Sequence, residues 1–217
     1  MTAAGASRHL RNQAGFTVGE LMVACAIVGL VMTGMLAMLT SGQQSFLMGA
    51  GQVEAQQNVR VAFDLMAREI RQAGVDPTNA GFPAVVGVGG AGMPNGAGFR
   101  LQSDLNASCT PATLAVCLND PGERIEYTIV GNTLRRQALG VDAQPQIVIG
   151  GLDFTGTAQP AFQYLNRNAP PGVAAAPADI VNVVVMLQTR PTTTTATLAT
   201  QGNVRVRLTD TITLRNR

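Results

Sequence analysis

Carboxylates are the side chains in this chain that could do acid-base chemistry, because other candidates are almost absent. All 15 basic residues are arginines, and the single histidine, His9, precedes a long apolar run near the N-terminus. Asp120, Glu123 and Glu126 lie close together, but the DPGE segment that holds two of them is typical of an ordinary turn. There is also no glycine-rich phosphate loop between a strand and a helix. These residues predict no reaction, so we expect neither an enzyme nor a cofactor site.

The three cysteines fall into two settings. Cys25 lies inside the apolar run, where a cysteine usually behaves as a small buried apolar residue. Cys109 and Cys117 enclose a short segment, CTPATLAVC, with a proline and turn-forming residues. Two unpaired buried thiols are one interpretation of this pair. If the segment lies outside the cytosol, a disulfide between Cys109 and Cys117 is expected, because thiols oxidise in that compartment.

The apolar run, residues 21–39, contains no charged residue and reads LMVACAIVGLVMTGMLAML. At ~1.5 Å per residue, a helix of this length crosses the hydrocarbon core of a bilayer. Arg8, His9 and Arg11 precede the run without an acidic residue among them, and the next charged residue after the run is Glu54. The positive-inside rule then places the N-terminus in the cytoplasm and the rest of the chain outside. We therefore expect a single pass through a membrane, with the part of the chain after the run outside the cytoplasm.

Two other N-terminal signals fit less well. A secretory signal would be removed after its apolar core, whereas here a helical pattern continues well past the run. A lipoprotein signal would use the Met-Val-Ala-Cys segment that ends at Cys25, but its apolar core should precede that cysteine. The run is therefore expected to remain in the protein as a membrane anchor.

Glu20 is anomalous, because it lies at the edge of the apolar run. A carboxylate near the centre of a bilayer costs about 2.5–3.5 kcal/mol, so an acid in such a segment indicates a function and a partner. A glutamate at the interface that faces lipid headgroups is the simpler interpretation. The surrounding residues favour the first, since Gly15 to Glu20 read GFTVGE and follow a short basic leader.

This segment resembles the prepilin processing signature of the type IV pilin and type II secretion pseudopilin superfamily. The resemblance implies that a prepilin peptidase cleaves between Gly15 and Phe16, and that the new amine of Phe16 is methylated. It also implies that Glu20 is the counter-ion for the Phe16 amine of an adjacent subunit, since a paired buried carboxylate is tolerable where a lone one is not. The expected partners are the peptidase, the inner membrane and other pilins, major and minor, which contact the N-terminal helix.

Removal of the leader would change the charge of the chain. Two of the 15 arginines, Arg8 and Arg11, lie in the leader, so 13 remain against 13 acidic residues. A neutral chain without a basic cluster gives no electrostatic reason to expect nucleic acid as a partner. The remaining chain also lacks histidine for metal binding, and nothing in it indicates a small-molecule substrate.

Residues from Gln52 to Ala73 predict a second, amphipathic half of the helix, because apolar residues recur at alternating four- and three-residue steps. The whole helix is expected to run from Thr17 to Ala73. Gly74 supplies the stop and Pro77 prevents continuation. The apolar stripe consists of Val59, Phe63, Met66, Ile70 and Ala73, and the charged residues between them are Arg60, Asp64, Arg68, Glu69 and Arg71.

The rest of the chain predicts a β-rich head. Residues 78–98 are rich in glycine and proline and indicate a loop around the head, and residues 190–202 indicate an exposed threonine-rich loop. Gly131-Asn132 between two strand-like runs indicates a hairpin. The fold class is therefore α+β, and the resemblance implies a type IV pilin-like fold with the helix packed on an antiparallel β-sheet head. The predicted strands are Phe99–Leu105, Arg124–Val130, Thr133–Leu139, Gln146–Phe154, Ala161–Leu165, Ile180–Gln188 and Val204–Leu214.

Within the superfamily, DLMAREIRQAGVDP at 64–77 and TITLRNR at 211–217 resemble PilW-type minor pilins. This resemblance implies a structural subunit that primes or joins the assembly of a pilus rooted in the inner membrane. The alternatives are a type II secretion pseudopilin of the GspJ type, and a minor pilin that binds DNA or a surface through Arg135-Arg136 and Arg205/Arg207. The expected organisation is a leader (1–15, removed), a transmembrane half-helix (16–40), an amphipathic half-helix (41–74) and a globular periplasmic head (75–217).

Overall fold

The computed structural model of the protein describes residues 15–90, 92–113, 117–154, 157–168, 172–190 and 205–216. The predicted leader up to residue 14, and the predicted threonine-rich loop from residue 191 onwards, lie outside the described residues. The chain forms two compact units, which divide between Leu47 and Met48. A long helix, α1 (Val18–Gln72), contributes residues to both units.

In the first unit, α1 presents apolar side chains around its whole circumference. Every residue from Phe16 to Leu47 is exposed. The helix contains a stretch that is long and apolar enough to cross a membrane, and none of that stretch is buried by the described chain. A helix that is apolar on every side needs a nonpolar environment around it, and the described residues do not supply one for this stretch.

In the second unit, α1 is amphipathic, and one face of it forms part of the core. The predicted stripe is confirmed, because each of its members is at most 5% exposed. Burial of large apolar side chains contributes about 1.5–3 kcal/mol each, so this stripe accounts for much of the attachment of α1 to the sheets. Its members are Val59, Phe63, Met66, Ile70 and Ala73.

Gly74 and Asn216 cap the C-terminal end of α1. Gly74 has a left-handed φ of 78°, and its N–H donates to the carbonyl oxygen of Gln102 at 2.8 Å. The side-chain amide of Asn216 donates to three carbonyl oxygens at the helix end, at 3.3–3.5 Å, those of Arg71, Gln72 and Ala73. Residues 64–77 and 211–217 are therefore in contact.

Antiparallel strands form two sheets in the second unit. The strands are β1 (Val85–Val86), β2 (Gly98–Gln102), β3 (Arg124–Val130), β4 (Thr133–Ala138), β5 (Gln146–Ile149), β6 (Phe162–Leu165), β7 (Asn182–Thr189) and β8 (Val206–Thr213). The first sheet has the order β1-β2-β3-β4-β5 and the second the order β6-β7-β8. Within each sheet, strands that are consecutive in sequence pair with one another, as short connections favour.

Each predicted strand has a counterpart in the structure, and the α+β class with antiparallel strands is confirmed. The predicted hairpin at Gly131-Asn132 joins β3 and β4. β5 ends at Ile149 rather than at Phe154, and the left-handed φ of 71° at Gly151 interrupts the extended run. The prediction of a loop at 78–98 is wrong at Val85–Val86, since β1 lies there and pairs with β2.

Aromatic side chains of both sheets meet in the core. Phe99 of β2 stacks on Tyr127 of β3, with ring centroids 5.4 Å apart. It also meets two rings of β6 edge to face, Phe162 at 4.9 Å and Tyr164 at 6.2 Å. Met66 of α1, which is 0% exposed, belongs to the same cluster. The two sheets and the second part of α1 therefore share one apolar core.

Candidate functional site

The candidate processing site, Gly15 and Phe16, lies in irregular backbone before α1 begins. Phe16 is 90% exposed. Among the residues that the structure describes, a Cβ atom placed on Gly15 would meet no atom within 4 Å beyond its chain neighbours. Within this part of the chain, the peptide bond between the two residues is therefore exposed.

Thr17 and Glu20 form a capping box at the start of α1. The Thr17 hydroxyl accepts from the N–H of Glu20 at 3.3 Å, and Oε2 of Glu20 accepts from the N–H of Thr17 at 2.9 Å. Oε2 also accepts from the Thr17 hydroxyl at 3.0 Å. Two N–H groups that the helix start leaves without a partner are thereby satisfied, and the carboxylate lies at the positive end of the helix dipole.

This cap is a role of Glu20 that our sequence analysis did not predict, although Thr-x-x-Glu before an apolar run is the signal for it. The cap uses Oε2 of Glu20, and Oε1 makes no hydrogen bond within the described chain. A carboxylate has several acceptor sites. The geometry is therefore compatible with a second partner on the same carboxylate.

The cysteines occupy different environments. Cys25 is exposed on α1 and has a free thiol, so the expectation of a buried apolar residue does not hold within the described chain. Cys109 and Cys117 are joined by a disulfide and are 0% and 9% exposed. They belong to a small apolar cluster outside the main core. Asp104, which is 0% exposed, accepts from the N–H of Cys109 at 3.1 Å and so fixes the start of the disulfide loop.

The acidic residues near this loop stabilise the backbone. Glu123 is 2% exposed and accepts from the N–H of Leu105 at 3.2 Å and from that of Asp120 at 3.3 Å. Glu126 instead accepts from Arg100 Nε at 2.7 Å. Across the described ranges, no group of three or more His, Cys, Asp or Glu side chains could hold a metal ion. These carboxylates therefore stabilise the folded chain through the hydrogen bonds that they accept.

Glu69 connects α1 to the first sheet. Its Oε1 accepts from Arg136 Nε at 2.9 Å, its Oε2 accepts from the Tyr127 hydroxyl, and Arg136 also lies 3.3 Å from a carboxylate oxygen of Asp142. Burial, and then the Glu69 charge, raise the pKa of Tyr127, so the hydroxyl remains a donor. For Arg136, burial lowers the pKa, but the hydrogen bond and charge of Glu69 outweigh it and raise the pKa overall.

These contacts concern two charged residues whose partners the sequence left open. The sequence pattern gives Glu69 as one of the charged residues between the stripe positions and Arg136 as one of the arginines of the alternative DNA-binding role, and in the structure the two form a partly buried pair. Of the other basic residues considered for DNA binding, Arg205 lies 3.3 Å from a carboxylate oxygen of Asp153 and Arg207 donates to a glutamine at 3.3 Å. These three arginines therefore make contacts within the second unit.

Comparison with known proteins identifies one motif. Residues 10–36 match the family model described as the prokaryotic N-terminal methylation motif, a segment that includes Gly15, Phe16 and Glu20. No curated protein matches the chain. Among solved structures, the chain is similar to a type IV-like pilin from Thermus thermophilus, with 14% sequence identity and a TM-score of 0.36, over 74% of this chain and 95% of that chain.

Proposed function

We propose that the chain is a minor type IV pilin of the PilW type, a structural subunit that primes or joins the assembly of a pilus rooted in the bacterial inner membrane. The observation that carries the proposal is the coincidence of the methylation motif at 10–36 with a fully exposed apolar helix. On this proposal, a prepilin peptidase cleaves between Gly15 and Phe16, and the Phe16 amine is then methylated.

The exposed apolar part of α1 contacts lipid before assembly and other pilins after it. Before assembly it lies in lipid as a single span, with the N-terminus in the cytoplasm and the second unit in the periplasm. After assembly the same surface contacts the helices of other pilins, so its apolar area avoids water in both states. Both environments surround the helix on all sides, which accounts for the lack of a polar face between Leu21 and Leu39.

Glu20 has two roles in this proposal. Its Oε2 caps its own helix through Thr17, and its Oε1 accepts from the Phe16 amine of a neighbouring subunit. The amine exists only after cleavage, so the ion pair favours processed subunits over precursors. The pair is needed because an ammonium group without a counter-ion is strongly disfavoured among apolar helices.

The PilW type is supported by the two segments that carry the resemblance. Residues 64–77 and 211–217 meet where Asn216 binds the carbonyl groups at the end of α1. The resemblance is confined to these two segments, and together they form one structural element, in which residues 211–217 cap the C-terminal end of α1. The proposal takes this element as a shared feature of that type of minor pilin.

Processing is tested by mass spectrometry of the protein isolated from membranes. The expected N-terminal residue is methylated Phe16. Gly15→Leu is the matched variant, and it should accumulate in the membrane at full length, because the bulky side chain blocks the extended backbone at the cleavage site. A Gly15→Leu protein of normal mature size would contradict the assignment of the cleavage site.

Assembly is tested in a strain that lacks the gene. Surface filaments are counted after shearing, and the release of secreted enzymes is measured in the same cultures. Loss of filaments with normal secretion is the result expected of a minor pilin. Loss of secretion with normal filaments would overturn the pilus role and favour a pseudopilus.

A further inference from the structure

An exposed bend of the second unit carries a modification signal that the proposed function does not use. Residues 106–108 read Asn-Ala-Ser, and no other asparagine in the sequence is followed two positions later by serine or threonine. Asn-x-Ser/Thr, with any residue except proline in the middle, is the acceptor sequence for N-linked sugars. Because so short a motif also occurs by chance, its surroundings decide whether a sugar can be attached.

The surroundings place this motif on the surface. Its three residues are exposed and lie outside the helices and strands. Asp104, by contrast, is 0% exposed, and its carboxylate accepts from the N–H of Ser108 at 3.0 Å. The backbone of the bend is thus attached to a buried side chain, just before the disulfide that begins at Cys109. A bulky polar group on Asn106 would extend into solvent and would displace no residue of the core.

The side chain of Asn106 has one hydrogen atom to spare. Its Oδ1 accepts from the N–H of Ser108 at 2.9 Å, and its Nδ2 donates to a carboxylate oxygen of Asp120. An amide nitrogen carries two hydrogen atoms, and the second one has no partner among the described residues. Replacement of that hydrogen by a sugar keeps both hydrogen bonds. The modification is therefore compatible with the fold around Asn106.

The hydroxyl group of Ser108 completes the acceptor sequence. It donates to the carbonyl oxygen of Cys117 at 3.4 Å, which is longer than the ~2.5–3.0 Å usual for a hydroxyl donor. So long a contact is weak, and the hydroxyl group can exchange it for a partner in an enzyme.

We propose that Asn106 is an N-glycosylation site. The donor is an oligosaccharide joined through a diphosphate to a polyprenyl lipid, and a membrane-bound transferase catalyses the step. Nδ2 of Asn106 forms a bond to C1 of the first sugar and loses one proton. The bond between C1 and the diphosphate oxygen breaks, and the lipid diphosphate leaves with the bonding electrons. The transfer needs no oxidant or reductant.

The inference rests on the proposed function, because that function places the second unit in the periplasm and the apolar part of α1 in the membrane. A lipid-linked donor diffuses within the membrane, so an acceptor chain that is anchored there shares its compartment. The proposed function says nothing of sugars, and it does not depend on them.

Mass spectrometry of the full-length protein, isolated from the envelope of its own host, tests the inference. Trypsin cleaves after Arg100 and Arg124 and releases residues 101–124 as one peptide, in which Asn106 begins the single acceptor sequence. Fragmentation of this peptide locates the added mass. Ser108→Ala removes the hydroxyl group, and Ser108→Thr is the matched control that keeps it. Asn106→Gln removes the acceptor asparagine itself.

The expected result is a sugar on Asn106 in the wild type and in Ser108→Thr. The modified fraction should fall roughly tenfold or more in Ser108→Ala and Asn106→Gln, because each lacks the acceptor sequence. A sugar that persists in Asn106→Gln would place the modification on another residue and overturn the inference. If Ser108→Ala does not accumulate, Asn106→Gln and the fragments of the wild-type peptide decide.

An unmodified Asn106 in the wild-type protein would also overturn the inference, and the N-terminus of the same sample separates this failure from that of the proposed function. With methylated Phe16 at the N-terminus, only the glycosylation site would be wrong. With an uncleaved leader, the result would count against both.

Discussion

Phe46 and Phe63 lie on the same helix, yet their surroundings differ. Phe46 is 75% exposed, and Phe63 is 5% exposed. The helix is continuous between them, so the difference comes from the residues around each one. Before Phe46, apolar residues occur at every angle, whereas around Phe63 they form one stripe and charged residues take the other side.

The comparison shows that one secondary structure meets two different requirements. A helix with a single apolar face can bury that face against a sheet of its own chain, because the sheet covers one side of the helix. A helix that is apolar on all sides is satisfied only by an environment that surrounds it, such as lipid or several other helices. Contacts within the chain therefore stabilise the second part of α1, whereas the described residues cover none of the apolar stretch in the first part.

The largest expected effect concerns Glu20, and it separates the charge from the cap. Glu20→Gln keeps a side chain that can complete the capping box, and Glu20→Ala removes both functions. Both variants should be inserted and cleaved. Glu20→Gln should then fall more than a hundredfold in sheared filaments, because breaking a buried ion pair costs about 3–5 kcal/mol.

The measurement is co-purification with filaments, with wild type and variant compared at equal membrane abundance. Glu20→Ala should fall at least as far as Glu20→Gln. If Glu20→Gln were incorporated like wild type and Glu20→Ala were not, the cap would be the function of Glu20 and the counter-ion role would be wrong.

The next effect tests the comparison of the two phenylalanines directly. Phe63→Ala should lower the free energy of unfolding of the second unit by about 3–5 kcal/mol, because it removes a buried ring from the core. Phe46→Ala should leave that free energy unchanged, since its ring contributes to no core within the chain. Both values come from urea unfolding of the full chain in mild detergent, followed by far-UV circular dichroism. Equal losses for the two variants would contradict the division of α1 into internally and externally stabilised parts.

Much of the fold could be predicted from the sequence because its signals are local. The buried stripe of α1 and the hairpin at Gly131-Asn132 follow from spacing and turn chemistry. β1 could not be predicted, because a pair such as Val85–Val86 becomes a strand only when β2 is beside it. The cap formed by Thr17 also has a local signal, Thr-x-x-Glu, but this signal overlaps the prepilin-like motif at residues 15–20, which contains the same glutamate.

A smaller effect is expected at the pair that fastens the second part of α1 to the first sheet. Glu69→Gln should lower the free energy of unfolding by about 1–3 kcal/mol, since Arg136 and the Tyr127 hydroxyl lose a charged acceptor. Arg136→Leu should have a similar cost, and the double variant should cost less than the sum, by about 0.5–3 kcal/mol. Additive losses in urea unfolding would show that the two side chains do not stabilise the protein as a pair.

The Glu69–Arg136 pair also shows why long-range side-chain contacts could not be predicted from the sequence. Glu69 is next to the buried stripe, and a periodic pattern cannot tell whether such a residue turns to solvent or to a neighbouring element. The answer depends on Arg136, which is 67 positions away in sequence. Long-range pairs of this kind are decided by tertiary packing. The sequence therefore predicts where the apolar face lies better than it predicts the contacts at its margins.

The smallest effect concerns Asn216, which closes the internally stabilised part of α1. Its side-chain amide donates to the carbonyl oxygens of Arg71, Gln72 and Ala73, groups that a helix end otherwise leaves without partners. Asn216→Ala should lower the free energy of unfolding by about 0.5–1.5 kcal/mol, the usual value of a single hydrogen-bonding group.

Two further variants near the C-terminal end of α1 test whether Asn216 stabilises the protein through these carbonyl groups. Arg215→Ala changes an exposed neighbour that contributes no such hydrogen bond, so it should leave the free energy of unfolding within about 0.5 kcal/mol of wild type. Asn216→Asp should be more harmful than Asn216→Ala, because a carboxylate would face carbonyl oxygens at the negative end of the helix dipole. Urea unfolding gives all three values. If Asn216→Asp were as stable as wild type, Asn216 would not act through these carbonyl groups, and the closure of α1 would depend on Gly74 and its hydrogen bond to Gln102 alone.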